Sequence, residues 1–134
     1  MLLGYNKMRT NTDASLERAR RLLDLGQLQA AREAYLAILL ADRYHPEGMR
    51  GLAEVFIACE DFASARVVLA RAVERHPHSA VLQSALGSVL LEVNDPLGAH
   101  TAFAAALLTD PRHRKAWCGL GIVFERAGDL QRAD

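Results

Sequence analysis

The chain has 134 residues, 51% of them hydrophobic and 24% charged, which suits one ordinary globular domain and is far from the composition of a disordered chain. Sixteen Lys and Arg balance sixteen Asp and Glu, so no global field exists to gather nucleic acid, an anionic membrane surface or an acidic substrate.

In chain order, MLLGYNKMRT has too short an apolar core for a secretory signal, and residues 1–12 read as a flexible leader. Apolar residues then recur at helical spacing, as in Leu52 and Phe56 and, after a break, Val68, Leu69 and Ala72. The expected helices span about 13–25, 28–41, 47–59, 62–75, 80–92, 96–109 and 114–127, with a stub from 129. Tight turns fall at LGQL (Leu25 to Leu28), CEDF (Cys59 to Phe62), NDPL (Asn94 to Leu97) and AGDL (Ala127 to Leu130). Asp95 ahead of Pro96 is a helix start, with a carboxylate to cap free N–H groups and proline at the first helical position. Pro77 and Pro111 stop the helices before them. No strand is needed, and no segment is apolar for the roughly 20 residues of a membrane helix.

The helices repeat with a period of 34: Ala31, Ala65, Ala99 and Ala133 form one column, and Ala19, Ala53, Gly87 and Gly121 a second that is always small. Leu22, Phe56, Leu90 and Phe124 form a large apolar column, and Tyr35, Leu69 and Phe103 another. The units are about 12–45, 46–79, 80–113 and a truncated 114–134, within one repeat domain over 13–134. Small columns let two helices approach, as Ala53 with Ala65 or Gly87 with Ala99, and a helical glycine costs about 1 kcal/mol, so Gly87 and Gly121 read as contact points.

Trp117, Leu120, Gly121, Phe124, Gly128 and Ala133, with Phe103, Ala106 and Pro111 of the unit before, resemble the tetratricopeptide repeat. The resemblance covers about residues 12–134. It implies an all-α, right-handed superhelical α-solenoid of antiparallel helix pairs, three complete units and a truncated fourth, whose first helices line a concave groove that binds a peptide or partner helix.

The two ends differ. In the first unit Ser15 and Arg18 stand where the last has Trp117 and Leu120, a polar terminal cap. In the last, Trp117, Leu120 and Phe124 leave an unfinished apolar face, because the second helix is cut at Asp134 and is too short to stand alone. The expectation is a fragment of a longer protein or an end covered by another chain, with homo-oligomers formed through this end.

With the packing columns inward, the opposite stripe of each first helix faces the groove: Leu16, Arg20 and Leu23; Arg50, Glu54 and Ile57; Val81, Ser84, Ser88 and Leu91; Lys115, Cys118, Ile122 and Glu125. Apolar residues with single charges suit a peptide or amphipathic helix oriented by Arg20, Arg50 and Lys115; the plain alternative is a solvated helix side. Some members of the family grip terminal carboxylates of chaperones with lysines and asparagines, whereas this surface offers Leu16, Arg20, Ser84 and Ser88 and no asparagine.

No catalytic residue, metal or cofactor is expected. His45, His76, His78 and His113 sit near helix ends, too far apart on successive units for one ion, and read as solvated. Cys59 and Cys118 make neither a disulfide framework nor a Cys-x-x-Cys pair and read as reduced, small packing residues in a cytoplasmic compartment. Gly119 to Gly121 follows no strand and lacks the third glycine of a dinucleotide fingerprint, since Phe124 stands there. The functional expectation is a protein-interaction scaffold or adaptor with a protein or peptide partner, and no role with nucleic acid or membranes. The alternatives are the N-terminal recruiting arm of an enzyme such as a glycosyltransferase, sulfotransferase or methyltransferase, or a bacterial secretion or pilus assembly chaperone.

Overall fold

The computed structural model describes residues 2–132, with side chains over 11–129. Seven helices follow one another among these residues: α1 (Leu2–Asp24), α2 (Leu28–Ala41), α3 (Pro46–Ala58), α4 (Phe62–Arg75), α5 (Ala80–Glu92), α6 (Pro96–Thr109) and α7 (Arg114–Arg132). Among the described residues there is no strand. The chain forms two compact units, Met1–Asp61 with α1 to α3 and Phe62–Asp134 with α4 to α7. The division falls between α3 and α4, inside the second 34-residue repeat.

Each of the first three turns within a repeat is built the same way. After α1, Gln27 N–H bonds the Leu22 carbonyl at 2.9 Å while Gly26 N–H bonds Leu23 at 3.0 Å. After α3, Asp61 bonds Phe56 at 2.8 Å and Glu60 bonds Ile57 at 2.9 Å; after α5, Asp95 bonds Leu90 at 2.8 Å and Asn94 bonds Leu91 at 3.1 Å. This is the Schellman closure, which needs a left-handed residue just past the helix. Gly26, Glu60 and Asn94, spaced by 34, supply it with φ of 76°, 59° and 62°.

The links from one repeat to the next are also periodic. His45, Ser79 and His113 occupy one column. His45 Nδ1 accepts from Gly48 N–H at 3.2 Å and Ser79 Oγ from Leu82 N–H at 3.3 Å, so both are N-caps of the following helix. Asp95 caps α6 in the same way, accepting from Gly98 N–H at 3.0 Å. His45 is therefore a helix-starting residue and half-buried, which corrects its reading as a solvated helix end.

In the first unit the buried hydrophobic residues are Ala19, Ala31, Tyr35, Ile38, Met49, Leu52, Ala53 and Val55. In the second, the core gathers Leu90, Leu91, Ala99, Ala102, Phe103, Ala106, Ala116, Leu120 and Val123 around α5, which packs against α4, α6 and α7. Gly87 and Gly119 clasp the Phe103 ring from α5 and α7. A Cβ on Gly87 would lie 2.7 Å from Phe103 Cε1, and one on Gly119 would overlap the ring.

Two boundaries differ from the expectation. α1 begins at Leu2 rather than near residue 13; residues 2–12 hold no proline to stop it, and Leu2, Leu3, Lys7, Met8 and Arg9 favour the helix against Gly4, Asn6 and the threonines. α7 runs through the expected turn at Ala127 to Leu130 as far as Arg132. Gly128 shares the column of Gly26, Glu60 and Asn94 but does not adopt their positive φ. A helix started at 129 has too few residues within this chain to be stable, whereas continuing α7 gives each new N–H its carbonyl four residues back. The last residues of the column reading, Ala133 and Asp134, lie outside the described residues.

Candidate peptide-binding groove

In the first unit, α1 and α3 run side by side over α2, and the space between them is floored by one aromatic ring. Tyr35 of α2 is buried, and it fits because position 51 is glycine: a Cβ there would overlap the ring carbons Cε1, Cζ and Cδ1. Above the ring lies a cavity of about 290 Å³ lined by Asp13, Leu16, Glu17 and Arg20 from α1, Tyr35 from α2, and Glu47, Arg50 and Gly51 from α3.

The charges in this cavity are unequally spent. Arg20 Nη1 reaches across to Glu54 Oε2 at 2.7 Å and its Nε lies 3.8 Å from Asp24, so its charge is matched on the protein. The Arg20 guanidinium also acts on the Tyr35 phenol. Burial raises the Tyr35 pKa above its ordinary 10.0, helped by the Glu54 carboxylate and opposed by the Arg20 and Arg50 guanidiniums. Arg50 is half-buried on α3 and makes no ion pair with any described residue. Leu16, Leu23, Glu54 and Ile57 are half-buried beside these groups.

The stripe of the second unit is less open. Val81, Lys115, Cys118, Ile122 and Glu125 are exposed and Ser88 is half-buried. Ser84 and Leu91 are buried, however, and do not line a surface. The reason is that α5 has neighbours on three sides, so eight of its 13 residues are buried and it keeps little free face. Ser88 Oγ is turned back onto the Ser84 carbonyl at 3.2 Å. Arg126 of α7 caps the end of α5 by donating to the Leu91 carbonyl at 2.9 Å. Both cysteines are free and exposed rather than packed; Cys118 points away because its neighbour Gly119 is the residue that meets Phe103.

The outer face of α7 divides in the same way. Leu120 is buried in the core, leaving Trp117 and Phe124 exposed by 56% and 61%. The Trp117 indole N–H is satisfied, donating to the Pro111 carbonyl at 2.8 Å, and Gln83 one repeat earlier reaches the Pro77 carbonyl at 3.5 Å. Phe124 meets the edge of His100, with ring centroids 5.9 Å apart at 76°. Gly121 has nothing within 4 Å of where a Cβ would stand, although Gly87 in the same column touches Phe103, so Gly121 is not a contact point. Among the described residues, no three His, Cys, Asp or Glu are grouped to hold an ion, and no helix is long and apolar enough to cross a membrane.

Sequence reasoning missed the floor of the first groove. Tyr35 was visible as a packing column, but its partnership with Gly51 needed the glycine sixteen residues on to be noticed: Tyr35 pairs with Gly51 and Phe103 with Gly119, while Leu69 has Ala85 at that distance.

Helices and closed turns recurring every 34 residues, with antiparallel pairs α1–α2 and α5–α6 packed inside their own units, define an all-α helical-repeat protein. Two sequence profiles, both described as tetratricopeptide repeat, match residues 22–89 and 84–133. The chain belongs to the tetratricopeptide repeat family.

Its sequence is 30% identical over 106 residues to the general transcriptional corepressor ssn6 of Schizosaccharomyces pombe, covering 78% of this chain and 10% of that protein. The first repeat domain of Spaghetti (RPAP3), bound to HSP90 peptide SRMEEVD, superposes with a TM-score of 0.81 at 18% identity, over 87% of this chain and 93% of that one. The O-GlcNAc transferase of Thermobaculum terrenum, as the mutant K341M, superposes with a TM-score of 0.79 at 24% identity, over 86% of this chain and 22% of the transferase. The chain thus spans only a small part of the curated relatives it matches, between 8% and 13% of their length.

Proposed function

We propose that this chain is a protein-interaction module that holds an extended peptide or partner helix in the groove between α1 and α3, without catalysis of its own and in a reducing, cytoplasmic setting. The observation that carries the reading is the cavity over Tyr35, where Leu16 offers an apolar contact and Arg50 an unmatched charge. The peptide-bound relative supports the mode of binding. The test is selection of peptides displayed on phage, with the Arg50→Ala variant as counter-screen. Peptides kept by the unaltered chain and lost by a folded Arg50→Ala variant support the groove; peptides that bind both equally remove it.

A second, separate reading concerns α7. Gly121 leaves an open slot flanked by Trp117 and Phe124, where the equivalent Gly87 receives an aromatic ring. We infer that a second copy of this chain covers the slot, giving homo-oligomers. Light scattering across a concentration series should show association that Phe124→Glu abolishes, and a 14.7 kDa monomer at every concentration would refute it.

A further inference from the structure

We infer that α7 pairs with α7 of a second copy, antiparallel and about a two-fold axis, so that Phe124 of each copy enters the slot at Gly121 of the other and Trp117 covers Gly128. This rests on the reading of α7 given above and adds the register, the symmetry and a limit of two copies.

The face is complementary to itself. Among the described helical glycines, only Gly121 and Gly128 have nothing within 4 Å of where a Cβ would stand, whereas Gly51, Gly87 and Gly119 each meet an aromatic ring. Among the described aromatic residues, only Trp117 and Phe124 are exposed; the others are buried or half-buried. α7 therefore holds two empty seats and two unseated rings. They alternate as Trp117, Gly121, Phe124 and Gly128, in steps of four, three and four that keep all four on one face of a helix. Gly128 belongs to that face because α7 runs straight through it. The two rings are seven residues apart and so are the two glycines, so the antiparallel register that sets Phe124 on Gly121 also sets Trp117 on Gly128. Each contact then occurs twice, once in each direction, which is the reciprocity of an isologous two-fold interface. A parallel pair staggered by one turn seats the rings of one copy only.

Charge and rigidity favour the same pairing. Arg114 at the start of α7 and Asp129 near its end are exposed and make no ion pair with any described residue. An antiparallel pair lays Arg114 of one copy beside Asp129 of the other and opposes the two helix dipoles, whereas a parallel pair lays like beside like. Trp117 is already fixed by its indole N–H on the Pro111 carbonyl, so little side-chain freedom is lost when it is covered. Glycine at each contact lets the two helix axes come close, which gives a use to residues that otherwise weaken the helix relative to alanine.

The test divides a filled seat and a missing ring between two variants and reads mass by sedimentation equilibrium. The unaltered chain should pass from 14.7 kDa to twice that mass and no further. Gly121→Phe fills the seat and Phe124→Ala removes the ring, so each alone should weaken association about tenfold. Mixed in equal amounts they should restore it as a dimer of one with the other: the ring added to the first variant finds the space cleared in the second, and Phe124 of the first finds Gly121 of the second. Far-UV circular dichroism checks that both variants keep their helices, and Gly121→Leu replaces Gly121→Phe where the larger ring lowers helicity. Association of the unaltered chain that either single variant leaves unchanged, or that the mixture fails to restore, overturns the reciprocal register and leaves self-association standing. A mass that climbs past two copies also overturns it, because a face satisfied by its own equivalent closes as a dimer. A monomer at every concentration overturns the register and self-association together.

Discussion

Glu60 is held at φ 59°, in the left-handed region where Cβ crowds the following carbonyl, while its two repeat equivalents are glycine and asparagine, which tolerate that region. It is exposed and its backbone closes the turn after α3, so the side chain costs strain without packing in return. Glu60→Gly should therefore raise stability by about 1 kcal/mol, read as a higher midpoint in urea with an unchanged slope. Tyr35 makes a prediction of opposite character. Its folded pKa is raised above 10.0, mainly by burial, so the folded state holds the phenolic proton more tightly than the unfolded chain does. The corresponding stability is fully present below pH 10 and is lost as pH rises through the folded value. Melting temperature should fall with alkaline pH more steeply for the unaltered chain than for Tyr35→Phe; parallel curves would show that the phenol is not the group responsible.

Among elements, the pairing of ring and glycine sets how closely successive helices approach. Gly51→Ala drives a methyl into the buried Tyr35 ring, an overpacking that should cost about 2 kcal/mol. Adding Tyr35→Leu should recover most of that loss, since Leu69 stands with Ala85 at the same sixteen-residue spacing; a double-mutant cycle in denaturant measures the coupling. The same period of 34 made helices α2 to α6 legible to within a residue, because turn residues, capping groups and apolar columns all agree there. It failed where the period is interrupted. Gly128 reads as a turn, but it makes one only if a second helix is there to pack back, and α7 runs straight through instead. Ser84 and Leu91 lie on the correct helical stripe, but a stripe counts neighbours on one side only, and α5 has them on three. The groove's charges were legible as residue types, whereas their unequal use, with Arg20 matched and Arg50 not, depends on distances that spacing does not contain.

For the molecule as a whole, the balance of sixteen basic and sixteen acidic residues places the pI near 7.0. Near that pH long-range repulsion between copies is weakest and association of any kind is favoured. Association through α7 is distinguishable from this general tendency: it should persist well away from pH 7 and in high salt, yet vanish with Phe124→Glu. Association that disappears when pH or salt is changed, and is indifferent to Phe124, would belong to charge neutrality alone. Trp117 gives a direct view of the same surface. It is the one tryptophan of the chain, fixed by its indole N–H to the Pro111 carbonyl yet more than half open to water beside the Gly121 slot. The protein thus carries its own fluorophore at the edge of that slot. Whatever covers α7 must dry one face of this ring and shift its emission to shorter wavelength, so occupancy can be followed in the unlabelled protein by its colour alone.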